Sequence, residues 1–237
     1  MKESLMPFVR SSEIYPVWPR DILALNDTKT AGFPDIKDEV VVLIGNNKNQ
    51  NDFDAKDTLV KGRRAVLKAV EENRPFIPVR FVFIPANKRF DVFSPLIRKL
   101  RYKIRFYGSN VYHIAPESIR ELKIERTFKT RENAYSFTAA GRRMTRQERD
   151  AEYDNILNSI KENGFSDNDP IDIMLCRLAG AKDCVNNGHH RMGIALELGL
   201  DKIPVRFSAA GAAPKILRPA LKVFSTFNLA FKRRFGH

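Results

Sequence analysis

The sequence predicts an α/β, or α+β, fold made of two tandem units, with mixed sheets and helices packed on them. Three observations support it. A strand, a helix that starts at a glycine and a returning strand follow one another in residues 171–207. A similar succession of segments occupies residues 39–81. Apolar residues alternate in the predicted strands and recur every three or four positions in the predicted helices, as core-facing elements require.

The second succession has the clearer pattern. Residues 171–175 alternate and are β-branched at their start, which is typical of a strand. The later apolar positions fit a helix that ends at Gly199. The predicted elements are, in order, a strand at 171–175, a turn at 179–182, a short strand at 184–185, a helix from 191 to 199 and a strand at 203–207.

A loop rich in donors opens the helix of this segment. It reads Asn187, Gly188, His189, His190 and Arg191. The start of a helix offers unpaired N–H groups and the positive end of the helix dipole, and both favour an anion such as phosphate. The alternative is that Gly188 is only a turn residue.

Four pieces around this loop resemble the ParB/sulfiredoxin family. They are a helix ending in Ser-Ile with a following glycine (159–164), a Pro-Ile strand (170–173), the Gly-His-His-Arg loop (188–191) and an Ile-Pro-Val strand (203–205). The resemblance covers residues 145–208, and the order of the pieces is more specific than any one of them. It implies that nucleotide phosphates bind on residues 187–191.

The family includes chromosome-partition CTPases, sulfiredoxins and free-serine kinases. His189 stands where sulfiredoxins have their catalytic cysteine, which argues against sulfinate reduction. The Asp-Gly-His-Thr-Arg loop of the serine kinases is the nearest match, although Asn187 replaces its aspartate. The kinase resemblance implies that His189 and His190 are catalytic.

The same resemblance implies a glutamate base near the start of the preceding helix. Glu148 is the nearest match and Glu152 the second choice. Thr145 and Glu148 also form a capping-box pattern at the start of a predicted helix, and this structural role explains Glu148 completely. Both explanations of Glu148 stay open.

An internal duplication is predicted from the recurrence of the loop segment. Residues 55–81 and 181–207 share 11 of 27 positions without a gap, and their numbers differ by 126. Gly62 matches Gly188. Arg63 and Arg64 follow Gly62 as a second candidate anion site, or are merely exposed residues at a helix start.

The duplication divides the chain into three predicted parts. Residues 1–108 form the first, divergent unit, and residues 109–212 form the second unit with the Gly-His-His-Arg loop. Residues 213–237 form a basic tail whose phenylalanines are spaced for one face of a helix. The tail either packs on the core or lies on an anionic membrane through residues 214–237.

The net charge of +13 implies an anionic partner. We expect a nucleotide-dependent phosphotransferase that uses ATP or ADP with Mg²⁺. Its acceptor would be a hydroxyl on a small molecule or on a membrane-associated glycan intermediate. Residues 1–6 lack the apolar core of a signal peptide, and no apolar run spans a bilayer. The expected location is the cytoplasm, either free or peripheral on the inner face of the membrane.

A ParB-like DNA-binding protein without catalytic activity is the main alternative. Residues 88–106 interleave six cations with four aromatic residues, a composition that suits stacking on bases, although the aromatics also fit a core. No helix-turn-helix pattern follows the second unit. A nuclease is a third reading, but the sequence lacks a cluster of carboxylates for its metal.

Overall fold

The computed structural model describes residues 9–28, 39–45, 47, 54–84, 105–120, 131, 142–175 and 183–210. The predictions for residues 88–104, for the turn at 179–182 and for the tail fall outside these residues. Within them the fold is mixed α/β, which confirms the predicted mixture of helices and mixed strand pairing, and the strands lie in one sheet.

The elements alternate along the chain. The first part contains β1 (Val9–Arg10), β2 (Tyr15–Val17), α1 (Pro19–Leu23), β3 (Asn26–Asp27), β4 (Val41–Leu43), β5 (Thr58–Lys61), α2 (Arg63–Glu71) and β6 (Ile77–Phe83). The second part contains β7 (Arg105–Tyr107), β8 (Tyr112–Ile114), α3 (Glu117–Arg120), α4 (Arg146–Asn163), β9 (Ile171–Leu175), β10 (Cys184–Asn187), α5 (His189–Glu197) and β11 (Ile203–Ala210).

The described strands form one sheet in the order β10-β9-β11-β8-β2-β6-β4-β5-β3. Strands β1 and β7 add to β6 and β11 respectively. We call β1 to β6 the first half-sheet and β7 to β11 the second half-sheet. They join where Val17 of β2 pairs with Ile114 of β8. Strand β7, which precedes the predicted boundary at residue 108, belongs to the second half-sheet.

The two half-sheets have the same pairing pattern. In each, a central strand pairs in parallel with one neighbour and antiparallel with the other: β6 with β4 and β2, β11 with β9 and β8. The outer ladders even contain a bulge at the same place, which leaves Val60 unpaired in β5 and Asn186 unpaired in β10. We call residues equivalent when they hold the same place in the two ladders.

The main core lies on one face of the sheet. Helices α1, α2, α3 and α5 bury Ile22, Val66, Ile119 and Met192 against inward-pointing strand residues. Helix α4 lies outside α5, and its Tyr153, Leu157 and Ile160 pack on Ile194. The alternation of buried and exposed residues in the sequence follows from these two layers.

Helix α4 starts as its sequence predicted. Thr145 Oγ1 accepts from the Glu148 N–H, and a Glu148 carboxylate oxygen accepts from the Thr145 N–H, which makes a complete capping box. The predicted strand at 171–175 is confirmed as β9 and the returning strand as the start of β11.

Candidate functional site

Gly188 connects β10 to α5 in a conformation that favours glycine. Its φ is +93°, in the left-handed region, and a Cβ atom there would come within 2.9 Å of the Ile171 side chain. The loop can therefore approach β9 only without a side chain at this position. Gly62 holds the equivalent place before α2 with a φ of +105°.

The first turn of α5 carries no acidic residue. It contains His189, His190 and Arg191, of which the two histidines are partly buried. Helix dipoles favour negative charge at this end, so the Arg191 cation in the first turn is more stable when an anion lies against it. The Gly188 N–H itself donates to Asn187 Oδ1 over 2.8 Å.

Arg191 already has an acidic neighbour. Its Nη1 atom lies 2.9 Å from Asp169 Oδ2 and also donates to the Asp169 carbonyl. Its Cζ atom stands 6.0 Å from the centroid of the Phe165 ring. The Arg191 side chain is only 16% exposed whereas that of Asp169 is 70% exposed. Arg191 thus fixes the loop before β9, and a phosphate would have to share this guanidinium with Asp169.

Glu148 is engaged at the start of α4. Besides the capping box, it accepts from both Arg142 Nη atoms, over 2.6 and 3.1 Å. The Arg142 guanidinium, followed by the Thr145 N–H, lowers the pKa of Glu148 to about 2. A carboxylate held in this way is a weak proton acceptor at neutral pH.

The packing of α4 on α5 separates Glu148 and Glu152 from the glycine loop. Tyr153 Oη donates to Glu197 at the end of α5 over 2.6 Å, whereas Phe165, just after α4, lies beside Arg191 at the start of α5. The two helices therefore run antiparallel. At about 1.5 Å per residue, Glu148 lies roughly 20 Å along α4 from the end that meets the loop.

A buried polar cluster next to the loop was missed in the sequence. Asp172, which pairs with Asn187 in the β9–β10 ladder, accepts from Asn186 Nδ2 and Ser208 Oγ, each over 2.5 Å. Asp172 is 5% exposed and Ser208 is fully buried. We call Asp172, Asn186 and Ser208 the polar triad.

The signal for the polar triad was present in the internal repeat. The equivalent residues in the first half-sheet are Val41, Val60 and Val82, which pack together with Leu43. Alignment of the two segments by strand register places the three valines opposite the three polar residues, and this contrast indicates the triad. The ungapped alignment did not extend to β4 and β9, because the loops that follow them differ in length.

His113 lies in β8 and links this strand to α1 and to the loop before β9. Its Nδ1 atom lies 3.2 Å from Asp21 Oδ2 of α1, and its Nε2 atom lies 3.1 Å from Asp167 Oδ1 in the loop before β9. The Asp21 hydrogen bond, opposed by burial, raises the pKa of His113. This group ties α1 to the loop that Arg191 also holds.

Arg63 has a structural role in the first half-sheet. Its Nε atom donates to Asp27 Oδ1 over 2.9 Å, and its Nη atoms donate to the carbonyl oxygens of Leu23 and Leu25 at the end of α1. Arg64, in contrast, is exposed. Of this second candidate anion site, only Arg64 is directed to solvent.

Within the ranges that the structure describes, no three His, Cys, Asp or Glu side chains come together as metal ligands. Neither does any helix of that part of the chain have the length and apolarity needed to cross a bilayer. Comparisons with protein-family models, with characterised proteins and with solved structures found no match to this chain.

Proposed function

We propose that this chain is a nucleotide-dependent phosphotransferase whose nucleotide phosphates bind at the start of α5. The observation that carries the proposal is the first turn of α5, where His189, His190 and Arg191 follow a left-handed glycine and no acidic side chain is present. An anion at this point would interact favourably with the positive end of the helix dipole and with the Arg191 guanidinium.

We also infer that the chain is a tandem duplication of one ParB/sulfiredoxin-like unit. In support of this inference, β2, β6, β4 and β5 pair in the same order, in the same register and with the same bulge as β8, β11, β9 and β10. Strand β3, beyond β5, has no counterpart among the described strands. Gly62 and Gly188 start equivalent helices with similar φ angles. Only the second copy has histidines at the helix start and the polar triad beside it, so we assign the chemistry to the second copy.

The proton acceptor in this proposal is one of the carboxylates tied to the loop. Asp169 pairs with Arg191, and Asp172 is the ladder partner of Asn187. Glu148 and Glu152 lie towards the end of α4 that is remote from the glycine loop, so we do not assign them a part in the reaction. His189 and His190 would donate to the phosphates, since their ring nitrogens are donors when protonated.

A bound Mg²⁺ would supply charge neutralisation during the transfer of the phosphoryl group from ATP or ADP. Such an ion takes one or two carboxylates and completes its shell with phosphate oxygens and water, so the exposed Asp169 carboxylate would hold it, which leaves Asp172 as the proton acceptor. A hydroxyl on a small molecule or on a glycan intermediate remains the proposed acceptor.

Calorimetry with ATP and ADP, with and without Mg²⁺, tests nucleotide binding. We expect binding by the parent, and a ten- to hundredfold weaker binding by His190→Ala, the usual effect of a lost hydrogen bond to a charged group. Arg64→Ala is the matched control, because Arg64 holds the equivalent position in the first copy. If the parent binds no nucleotide, or if both variants lose binding equally, the proposal fails.

DNA binding without catalysis is the second candidate, and the net charge of +13 favours it. Contacts to phosphates make affinity fall steeply with salt, so a gel shift of duplex DNA at two salt concentrations is informative. Tight, salt-dependent binding to DNA together with no binding of nucleotides would favour this candidate over the phosphotransferase.

A further inference from the structure

Equivalent aromatic residues meet where the half-sheets join. Phe81 of β6 and Phe207 of β11 stack with ring centroids 3.7 Å apart and an angle of 22° between the rings. Tyr15 then meets Phe207 edge to face at 4.9 Å and 65°, and Tyr112 meets Phe81 at 4.9 Å and 67°. The same contact therefore occurs twice with the roles of the halves exchanged, which is the arrangement of a two-fold axis.

A buried carboxylate of the second half-sheet is held by the first. Asp183, which is fully buried, accepts from the Tyr15 hydroxyl over 2.8 Å and from the Ser12 N–H over 3.0 Å. The Asp183 N–H in turn donates to the Ser12 hydroxyl over 2.7 Å. These three hydrogen bonds join residues that lie about 170 positions apart in the sequence.

The reverse contact is built in the same way. Asp57, equivalent to Asp183, is 2% exposed and accepts from the Tyr112 hydroxyl over 2.7 Å and from the Ser109 N–H over 2.9 Å. The Asp57 N–H donates to the Ser109 hydroxyl over 2.8 Å. Burial raises the pKa of Asp57, while the N–H donors of Gly45 and Ser109 act in the opposite direction.

Through these contacts each half-sheet stabilises the other. A buried carboxylate that loses its donors is strongly destabilising, because its desolvation is no longer compensated. We infer that the two half-sheets form an internal dimer that unfolds in one cooperative transition. Each half supplies one buried aspartate, and the other half supplies the hydrogen-bond donors for it. The link between residues 84 and 105 is not required to hold the halves together.

A cut in the folded protein tests this inference. A protease site is introduced between residues 85 and 104 of the full chain, and the purified protein is cleaved and passed over a gel-filtration column. We expect both fragments to elute together at the volume of the uncut chain and to separate only in denaturant. Fragments that elute apart under native conditions would overturn the inference.

Amide hydrogen exchange tests the hydrogen bonds that each buried aspartate accepts from the other half-sheet. In Asp183→Asn we expect amides of β2 in the first half-sheet to exchange at least tenfold faster, and in Asp57→Asn those of β8 in the second. Tyr15→Phe and Tyr112→Phe are milder variants for use where the asparagine variants do not fold.

Glu197→Gln is the control for the exchange experiment. It alters an acceptor whose hydrogen bond from Tyr153 stays within the second part of the chain, so its effect should be confined to α4 and α5. Faster exchange only in the half that carries the substitution, for either pair of variants, contradicts an internal dimer. That result would leave the binding of nucleotides at α5 unaffected, so the two proposals fail separately.

Discussion

The two half-sheets differ most at three positions that their backbones share. On the face away from the helices, Val41, Val60 and Val82 form an apolar cluster in the first half-sheet. The second half-sheet has the polar triad at the same places in its ladders. Because one backbone accommodates either set, the fold itself does not require the polar residues. Their presence beside the glycine loop supports the proposal that the activity lies in the second half-sheet.

The first turns of α2 and α5 also differ in what their side chains contact. Arg63 donates hydrogen bonds to Asp27 and to the carbonyl oxygens at the end of α1. The equivalent residue at the start of α5 is His189, whose side chain is shorter and has no guanidinium group. The start of α2 thus holds a neighbouring helix, whereas the start of α5 has imidazole side chains in place of Arg63 and Arg64.

Introducing the aspartate of the polar triad into the first half-sheet should have the largest effect on stability. Val41→Asp buries a charge among Val60 and Val82 with no donor beside it, and we expect a loss of about 3–5 kcal/mol in the free energy of unfolding. The triple variant with Val60→Asn and Val82→Ser supplies the donors and should recover part of that loss. Urea denaturation measures both, and equal stabilities of the two variants would show that the copies are not interchangeable.

Replacing each of the two helix-starting glycines with alanine should destabilise the protein by different amounts. In Gly62→Ala the new Cβ would lie 2.5 Å from the Glu39 carbonyl oxygen, a backbone atom, and we expect a cost of about 2–4 kcal/mol. In Gly188→Ala the nearest atom is a side-chain carbon of Ile171 at 2.9 Å, and about 1–3 kcal/mol is expected. Thermal denaturation gives the order, and a larger loss at Gly188 would contradict it.

Removing the triad should separate stability from function. The triple variant Asp172→Val, Asn186→Val, Ser208→Val copies the first half-sheet, and we expect its stability to stay within about 1.5 kcal/mol of the parent, because apolar replacements of buried polar groups are often nearly neutral. Its nucleotide turnover should be lost. Full turnover in a stable triple variant would mean that the polar triad has no part in the reaction.

The contact of His113 with Asp21 and Asp167 exists in one copy only, since Pro16 is the equivalent residue in β2. Because the folded-state pKa of His113 is raised from 6.5, its stabilisation is complete below pH 6.5 and is lost as the pH rises through the folded-state pKa. His113→Gln should therefore cost about 1 kcal/mol or less at pH 5.5 and less still at pH 8.5. A cost that grows with pH would contradict this assignment.

The smallest effect on function is expected at Glu148. Glu148→Gln keeps a side chain that can complete the capping box but loses the charge that pairs with Arg142. We expect unchanged nucleotide affinity and turnover, because α4 separates Glu148 from the glycine loop. Loss of turnover with unchanged affinity would restore the base suggested by the kinase resemblance.

The sequence by itself determined the local elements of this protein. Strand alternation predicted β9, and the capping box predicted the start of α4. Gly62 and Gly188 marked the starts of two helices, since a left-handed residue is needed where each helix follows its strand at once. These features depend on neighbours a few residues apart, and periodicity and cap chemistry report them directly.

Only the tertiary structure decided how those elements meet. It paired Asp57 with Tyr112 and Asp183 with Tyr15 across the halves, and it turned α4 so that Glu148 lies away from the glycine loop. It also joined the strands into one sheet through Val17 and Ile114. A pattern of apolar residues specifies which face of an element is buried, but not which distant element covers that face, because many partners satisfy the same burial.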